Sequence, residues 1–266
     1  MPLSDIQLKV VKVLRSFRST TNYVGGGAAL NRRWSRISDD LDIYTDLGDL
    51  PESARRELAA LRREGFGVRE VYANDLGVEA VVSLYGYETL LQWMHDPETS
   101  TRFFAVVVDD DFGFRLHEAD NAVNKMLCAS RRQNAARDAA DLVQIVEEYA
   151  PLGPLVWAAC GKDQSLTPPK VIRGIRRNAF GYANEEFKTL SSIRPITRDR
   201  VRTVLTSALE DASAYCEEIA PAELVGSLFV NSDEIPIEAT AQQLEDKTAI
   251  AMPLRQFAAT PIVRTD

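Results

Sequence analysis

The stretch YVGGGAALNRRWSRISDDLDIYTD, residues 23–46, decides how this chain is read. Gly25, Gly26 and Gly27 follow an apolar pair, arginines stand at 32, 33 and 36, and Asp40 and Asp42 then flank a single leucine. Successive side chains on a strand point to opposite faces. A strand here puts Asp40 and Asp42 on one face and buries Leu41 and Ile43 on the other. Two carboxylates held side by side repel each other unless a cation lies between them.

Hard oxygen donors with room left for substrate phosphates suit Mg2+ (or Mn2+). A glycine-rich turn just before the strand lets backbone N–H groups approach phosphate oxygens, because no Cβ blocks the way. Glycine turn, short spacer and D-x-D together fit a grip on a nucleoside triphosphate and transfer of a nucleotidyl group. The plainer reading is a tight turn followed by a strand of solvated acids. Other glycine motifs fail. A dinucleotide fingerprint needs glycine where Leu30 stands, and the Gly161-Lys162 pair is followed by Asp163 rather than the Ser or Thr of a P-loop.

The remaining composition bounds the problem. At 266 residues the chain is long enough to bury a real core in one large domain or two modest ones. Its 39 acidic against 31 basic residues give a net charge of −8, which excludes the whole-domain basic footprint of a dedicated nucleic-acid binder but not a local patch. Cys128, Cys160 and Cys216 form no CxxC pair and read as free thiols. His95 and His117 form no ligand pair, which argues against a zinc site or a Ser-His-Asp triad. No apolar run reaches the roughly 18 residues of a membrane span and no signal-peptide core is visible, so a cytoplasmic protein with no membrane partner is expected.

The texture of the chain changes twice. Leu3, Ile6, Val10, Leu14 and Phe17 keep helical period, predicting a helix over about 4–17 capped by Ser4. A strand ending near Val24, a short helix from Ala28 to Arg33 and a strand over 41–45 follow. A helix then opens at Pro51 and stops at Gly65. Residues 66–115 hold short runs rich in Val, Tyr, Phe and Trp, which are strand signals. Helical stretches are expected at 118–132, 134–149, 167–178 and 197–218, with no structure assigned after Asp233. The expected class is α/β, a mixed sheet with helices over 1–117 followed by a helical C-terminal half over 118–266.

"GGAAL" at 26–30 followed by "RISDDLDIY" at 36–44 resembles the signature of the AbiEii/AbiGii-type nucleotidyltransferase toxins, within the polymerase-β-like nucleotidyltransferase superfamily. A second block agrees: Lys125, Arg131 or Arg132, then "RDAADL" at 137–142. The resemblance spans roughly residues 20–180, including 151–169, to which no chemistry attaches. It implies that Gly26 and Gly27 cradle phosphates with a hydroxyl from Ser38, and that Asp40 and Asp42 hold the divalent ion. Lys125 would neutralise phosphate charge in the transition state, and Asp138 would orient it or assist proton removal. The residues themselves admit a surface lysine at 125 and a local Arg137–Asp138 ion pair. Two acids three apart on a helix, Asp138 and Asp141, call for a cationic partner that Lys125 can supply. Arg36 is either a scaffold residue or a phosphate contact.

The implied partners are a nucleoside triphosphate, a tRNA acceptor end and a cognate antitoxin. Lys170, Arg173, Arg176 and Arg177 crowd one helical face that an RNA backbone could meet, or that is simply solvated. One departure stands out. Relatives take a third carboxylate from a later strand reading apolar–acid–Trp, where this chain reads Leu91-Gln92-Trp93. Glutamine coordinates through its carbonyl but takes no proton, leaving Asp96, Asp109 or Asp138 as substitutes. The alternative is a weak or inactive nucleotide- or RNA-binding module of the same fold.

Overall fold

The computed structural model describes residues 3–31, 34, 36–46, 50–95, 101–133 and 136–256. The chain forms two compact units. A sheet unit takes Leu3–Ala29, Asp39–His117 and the stretch from Arg255, and a helical unit takes Leu30–Ser38 and Glu118–Leu254.

In the sheet unit, α1 (Asp5–Leu14) starts at a reciprocal cap: the Gln7 amide N–H donates to Ser4 Oγ, and Ser4 N–H donates to Gln7 Oε1. Its stripe of Ile6, Val10, Val11 and Leu14 is buried. β1 (Asn22–Gly25) leads straight into α2 (Gly26–Leu30), so the short helix begins two residues earlier than expected; Arg32 and Arg33 lie outside the described residues. β2 (Asp40–Thr45) follows, then α3 (Leu50–Arg63), with Pro51 in its first turn and Gly65 at φ +85 just beyond its end.

The strand-rich middle forms β3 (Gly67–Asn74), β4 (Gly77–Leu84), β5 (Tyr87–Met94), β6 (Thr101–Arg102), β7 (Val107–Asp109) and β8 (Gly113–Arg115). Seven strands make one mixed sheet in the order β3-β4-β5-β2-β1-β8-β7, with β2–β5 and β1–β8 parallel and the other pairs antiparallel. One sheet face, carrying Leu41, Ile43, Val78, Ala80, Val82, Leu91 and Trp93, packs into a single core with α1 and α3. Burying each large aliphatic side chain there contributes roughly 1.5–3 kcal/mol. A fully buried Glu57 on α3 ties this layer together. It accepts from Trp93 Nε1 at 2.9 Å and Asn22 Nδ2 at 3.2 Å, and pairs with Arg18.

The helical unit contains α4 (Glu118–Arg131), α5 (Ala136–Glu148), α6 (Leu152–Lys162), α7 (Pro168–Ala179), α8 (Asn184–Lys188) and α9 (Arg198–Ala214), which runs into a π turn over Tyr215–Ile219. Helix α6 is the longest element that pattern reading missed. Leu152 through Cys160 are all buried, so no polar face breaks the run into a helical period. The stretch 234–256 also carries structure: β10 (Ile250–Met252) pairs antiparallel with β9 (Leu228–Val230), with α10 (Ala241–Glu245) between them. Trp157, Tyr215, Phe229, Ala239 and Ala249 form their core. The last described strand, β11 (Arg255–Gln256), belongs to the sheet unit, where it pairs with β6. Among the described residues no helix is long and apolar enough to cross a membrane.

Candidate functional site

In the sheet unit, β2 alternates as its sequence requires. Leu41 and Ile43 are buried in the core, while Asp40 and Asp42 share the other face, Asp40 largely buried and Asp42 half-buried. Pairing of β1 with β2 sets Gly25 opposite Asp42, and Gly26 follows at φ +62. A methyl group added at Gly26 would lie 1.7 Å from Asp42 Oδ2, so the carboxylate occupies the space that any other residue's side chain would fill. Gly26 is therefore required twice, by its left-handed backbone and by contact with the acid. Gly27 is the second residue of α2.

The donor set fits a hard divalent ion. Two carboxylates on one strand face leave most of an octahedral shell to phosphate and water oxygens, the usual arrangement for Mg2+. Among the described residues no group of three or more His, Cys, Asp or Glu side chains is placed to hold a metal. Neither histidine departs from a structural part. His95 Nδ1 lies 2.8 Å from the Thr45 carbonyl oxygen, and His117 stacks on Phe104. Of the acids considered as a third carboxylate, Asp96 lies outside the described residues. Asp109 is committed to its own turn: it accepts from the amides of Asp111 and Phe112 and pairs with Arg115 at 2.8 Å.

Gln92 occupies the register position beside Asp42 on β5. Its amide nitrogen donates to Glu79 Oε1 on β4, an acid that sequence reading did not single out. Nothing local in GVEAVVSL marks that glutamate, because the partner that gives it meaning is thirteen residues away.

The helical unit holds the other block. Lys125 of α4 is buried, with Nζ 2.9 Å from Asp138 Oδ1 and 2.9 Å from Asp141 Oδ2 on α5, so it is not a surface lysine. Arg36 forks onto both oxygens of Asp141 and is itself buried, geometry that supports the scaffold reading of this arginine. Asn31 donates to Asp141 at 3.0 Å, and Gln144 accepts from the Arg36 amide. Two cations and two anions balance in this buried quartet. Burial pushes the Asp141 carboxyl up, but Arg36 and Lys125 outweigh it and hold it at about 2. Burial works against the Lys125 ammonium, yet Asp141 and Asp138 raise it above its ordinary value. Asp138 Oδ2 is buried without a hydrogen-bond partner among the described residues. Such an acceptor costs about 1–3 kcal/mol unless something else donates to it.

Ser38 is buried in the same unit. Lys170, Arg173, Arg176 and Arg177 are exposed along α7, whose other side buries Val171, Ile172 and Ile175. Lys162 of the Gly-Lys pair is used internally, by Asn124 at 2.5 Å and Asp120 at 3.7 Å. All three cysteines are free, and burial pushes the Cys160 and Cys216 thiols up to about 12.

No protein-family model matches the chain. No curated protein matches it by sequence. Among solved structures it is similar to a candidate nucleotidyltransferase from H. pylori, at 17% identity over 80% of this chain and 95% of that one, with a TM-score of 0.49. It is also similar to JHP933 from Helicobacter pylori (17% identity, 81% and 95% covered, TM-score 0.47). A third likeness is to MenT4, a nucleotidyltransferase toxin from Mycobacterium tuberculosis H37Rv (18% identity, 80% and 86% covered, TM-score 0.45). At these scores the likeness decides no activity, and the functional reading stands on the residues.

Proposed function

We propose that this protein is a divalent-metal-dependent nucleotidyltransferase that moves a nucleoside monophosphate from a triphosphate to a hydroxyl of RNA, the tRNA 3′ end, as the toxin of a toxin–antitoxin pair. The observation that carries the reading is the seat of the Asp42 carboxylate against the methyl-free, left-handed Gly26, with Asp40 on the same strand face. A solvated acid at the end of a turn needs no such space.

In this reading Asp40 and Asp42 hold Mg2+, which when bound neutralises triphosphate charge and polarises the reacting phosphate. Gly26 and Gly27 let the backbone approach phosphate oxygens, and Ser38 contributes a hydroxyl. Within the helical unit, Lys125 supplies the positive charge that the reading calls for, and Asp138, hydrogen-bonded to it at 2.9 Å, orients the ammonium. The exposed basic side of α7 gives an RNA backbone its charge partner.

A second reading, a nucleotide- or RNA-binding module, is favoured by Gln92, which puts an amide beside Asp42 where an acid would accept a proton. Pyrophosphate release separates the two. The transferase releases pyrophosphate when tRNA, Mg2+ and the right nucleoside triphosphate are combined, and stops on addition of EDTA. A module that retains RNA by filter binding yet releases none with any of the four nucleotides supports the second reading.

A further inference from the structure

On the sheet face that carries Asp42, register builds one line of side chains. Gln92 of β5 stands opposite Asp42, Glu79 of β4 opposite Gln92, and Tyr72 of β3 opposite Glu79. Cross-strand partners stand on one face, so these four form one row across the sheet. A hydrogen bond joins two members of the line: Gln92 Nε2 donates to Glu79 Oε1. The Tyr72 hydroxyl lies over Gly77, where an added methyl group would come within 2.9 Å of it.

Tyr72 reaches this face only because β3 is irregular. Gly67 pairs with Ser83 and Arg69 with Val81, so plain alternation would bring Val71 opposite Glu79. A register shift between Glu70 and Tyr72 puts the tyrosine there instead. Bulges of this kind re-aim a side chain beside a functional site.

The chemistry of the line has one solution. A carboxylate only accepts, so Glu79 must take the amide nitrogen of Gln92. That fixes the amide orientation, which is otherwise ambiguous, and leaves Oε1 as the atom not engaged by Glu79, with Asp42 on the other flank of Gln92 in the register. We propose that Glu79 is a positioning residue that locks Gln92 so that its carbonyl oxygen receives the hydrogen bond of the attacking RNA hydroxyl. This rests on the nucleotidyl-transfer reading above. The hydroxyl oxygen bonds the α-phosphorus as the bond to the α–β bridging oxygen breaks. Pyrophosphate leaves with that electron pair, and the hydroxyl proton passes to solvent, since an amide oxygen does not keep it. Gln92 thus aims the nucleophile without acting as its base.

The test compares residue-79 variants of the full chain in Mg2+-dependent transfer to tRNA. Glu79→Lys offers a donor, which draws Oε1 to itself and turns the amide NH2 toward the site. Glu79→Gln can still accept. The expected result is a kcat loss of roughly tenfold or more for Glu79→Lys, corresponding to one well-placed hydrogen bond, with donor KM unmoved. Glu79→Gln should recover most of that loss. Equal rates for wild type and Glu79→Lys, or equal losses for the Lys and Gln variants, would overturn the proposal.

A second readout does not depend on turnover or on the Lys variant folding. The side-chain amide protons of Gln92, identified by their absence in Gln92→Leu, should resonate downfield in wild type and move back in Glu79→Leu, which cannot accept. Unchanged shifts overturn the lock. A wild type that transfers nothing sinks the transferase reading and this one with it, whereas transfer indifferent to residue 79 sinks this one alone.

Discussion

At Gly26 the left-handed backbone and the contact with Asp42 impose two separate costs on any larger residue. A non-glycine residue in that backbone region costs roughly 1–2 kcal/mol, which urea denaturation of Gly26→Ala should register. The second cost falls on activity. Asp42 must move to admit a methyl group 1.7 Å from its oxygen, and displacement of about 1 Å at a reacting centre costs on the order of a hundredfold in rate. Transfer lost far beyond the stability change is the expected outcome; proportionate losses would mean that the glycine serves the turn alone. This pair was half legible in the sequence. D-x-D on a strand announces which side chains share a face, but Gly26 reveals its contact only when β1 and β2 pair. Glu79 was illegible for the same reason, because a cross-strand partner leaves no local signature.

Elements with two distinct faces were readable. Helices α1, α3 and α7 alternate buried and exposed positions, while α4 and α5 are buried along most of their length but intersperse charged residues among apolar ones; the sequence boundaries of all five lie within a few residues of those observed. Helix α6 was not, because Leu152 through Cys160 hold no charged residue to mark a face. Nor were β9 and β10, three residues each, too short to carry a pattern. Helix α7 carries a further constraint that its basic face hides. Gly174 crosses α4 so closely that an added methyl group would lie 2.5 Å from the Ser130 carbonyl oxygen. Backbone cannot swing away as a flexible side chain can. Gly174→Ala should therefore destabilise the fold by about 1–3 kcal/mol, read as a lower urea midpoint with the denaturant slope unchanged. An unchanged midpoint would mean that α4 and α7 part at little cost.

Across the whole molecule, the net charge of −8 coexists with four exposed basic residues on α7 and a charge-balanced quartet at the α4–α5 junction. The quartet makes acid stability testable. The Asp141 carboxyl sits at about 2 in the fold against an ordinary 3.8. A depressed carboxyl contributes stability that is whole above about pH 4 and lost as pH falls through about 2. The contribution is on the order of 2 kcal/mol. Asp141→Asn leaves Arg36 and Lys125 short of an anion, so at pH 7 it should destabilise by about 3–5 kcal/mol. The gap between variant and wild type should then narrow between pH 4 and pH 2, measured by urea unfolding at each pH. A gap that stays constant would show that the Asp141 charge is not what the fold uses.

The central claim is that Asp40 and Asp42 serve nucleotidyl transfer. The most direct measurement incubates the purified chain with total tRNA, Mg2+ and each α-labelled nucleoside triphosphate in turn, with Asp42→Asn alongside. Label entering RNA from one nucleotide, and lost in Asp42→Asn while that variant keeps its fold by circular dichroism, is the expected result. Label in both proteins, or in neither with every nucleotide, would contradict it.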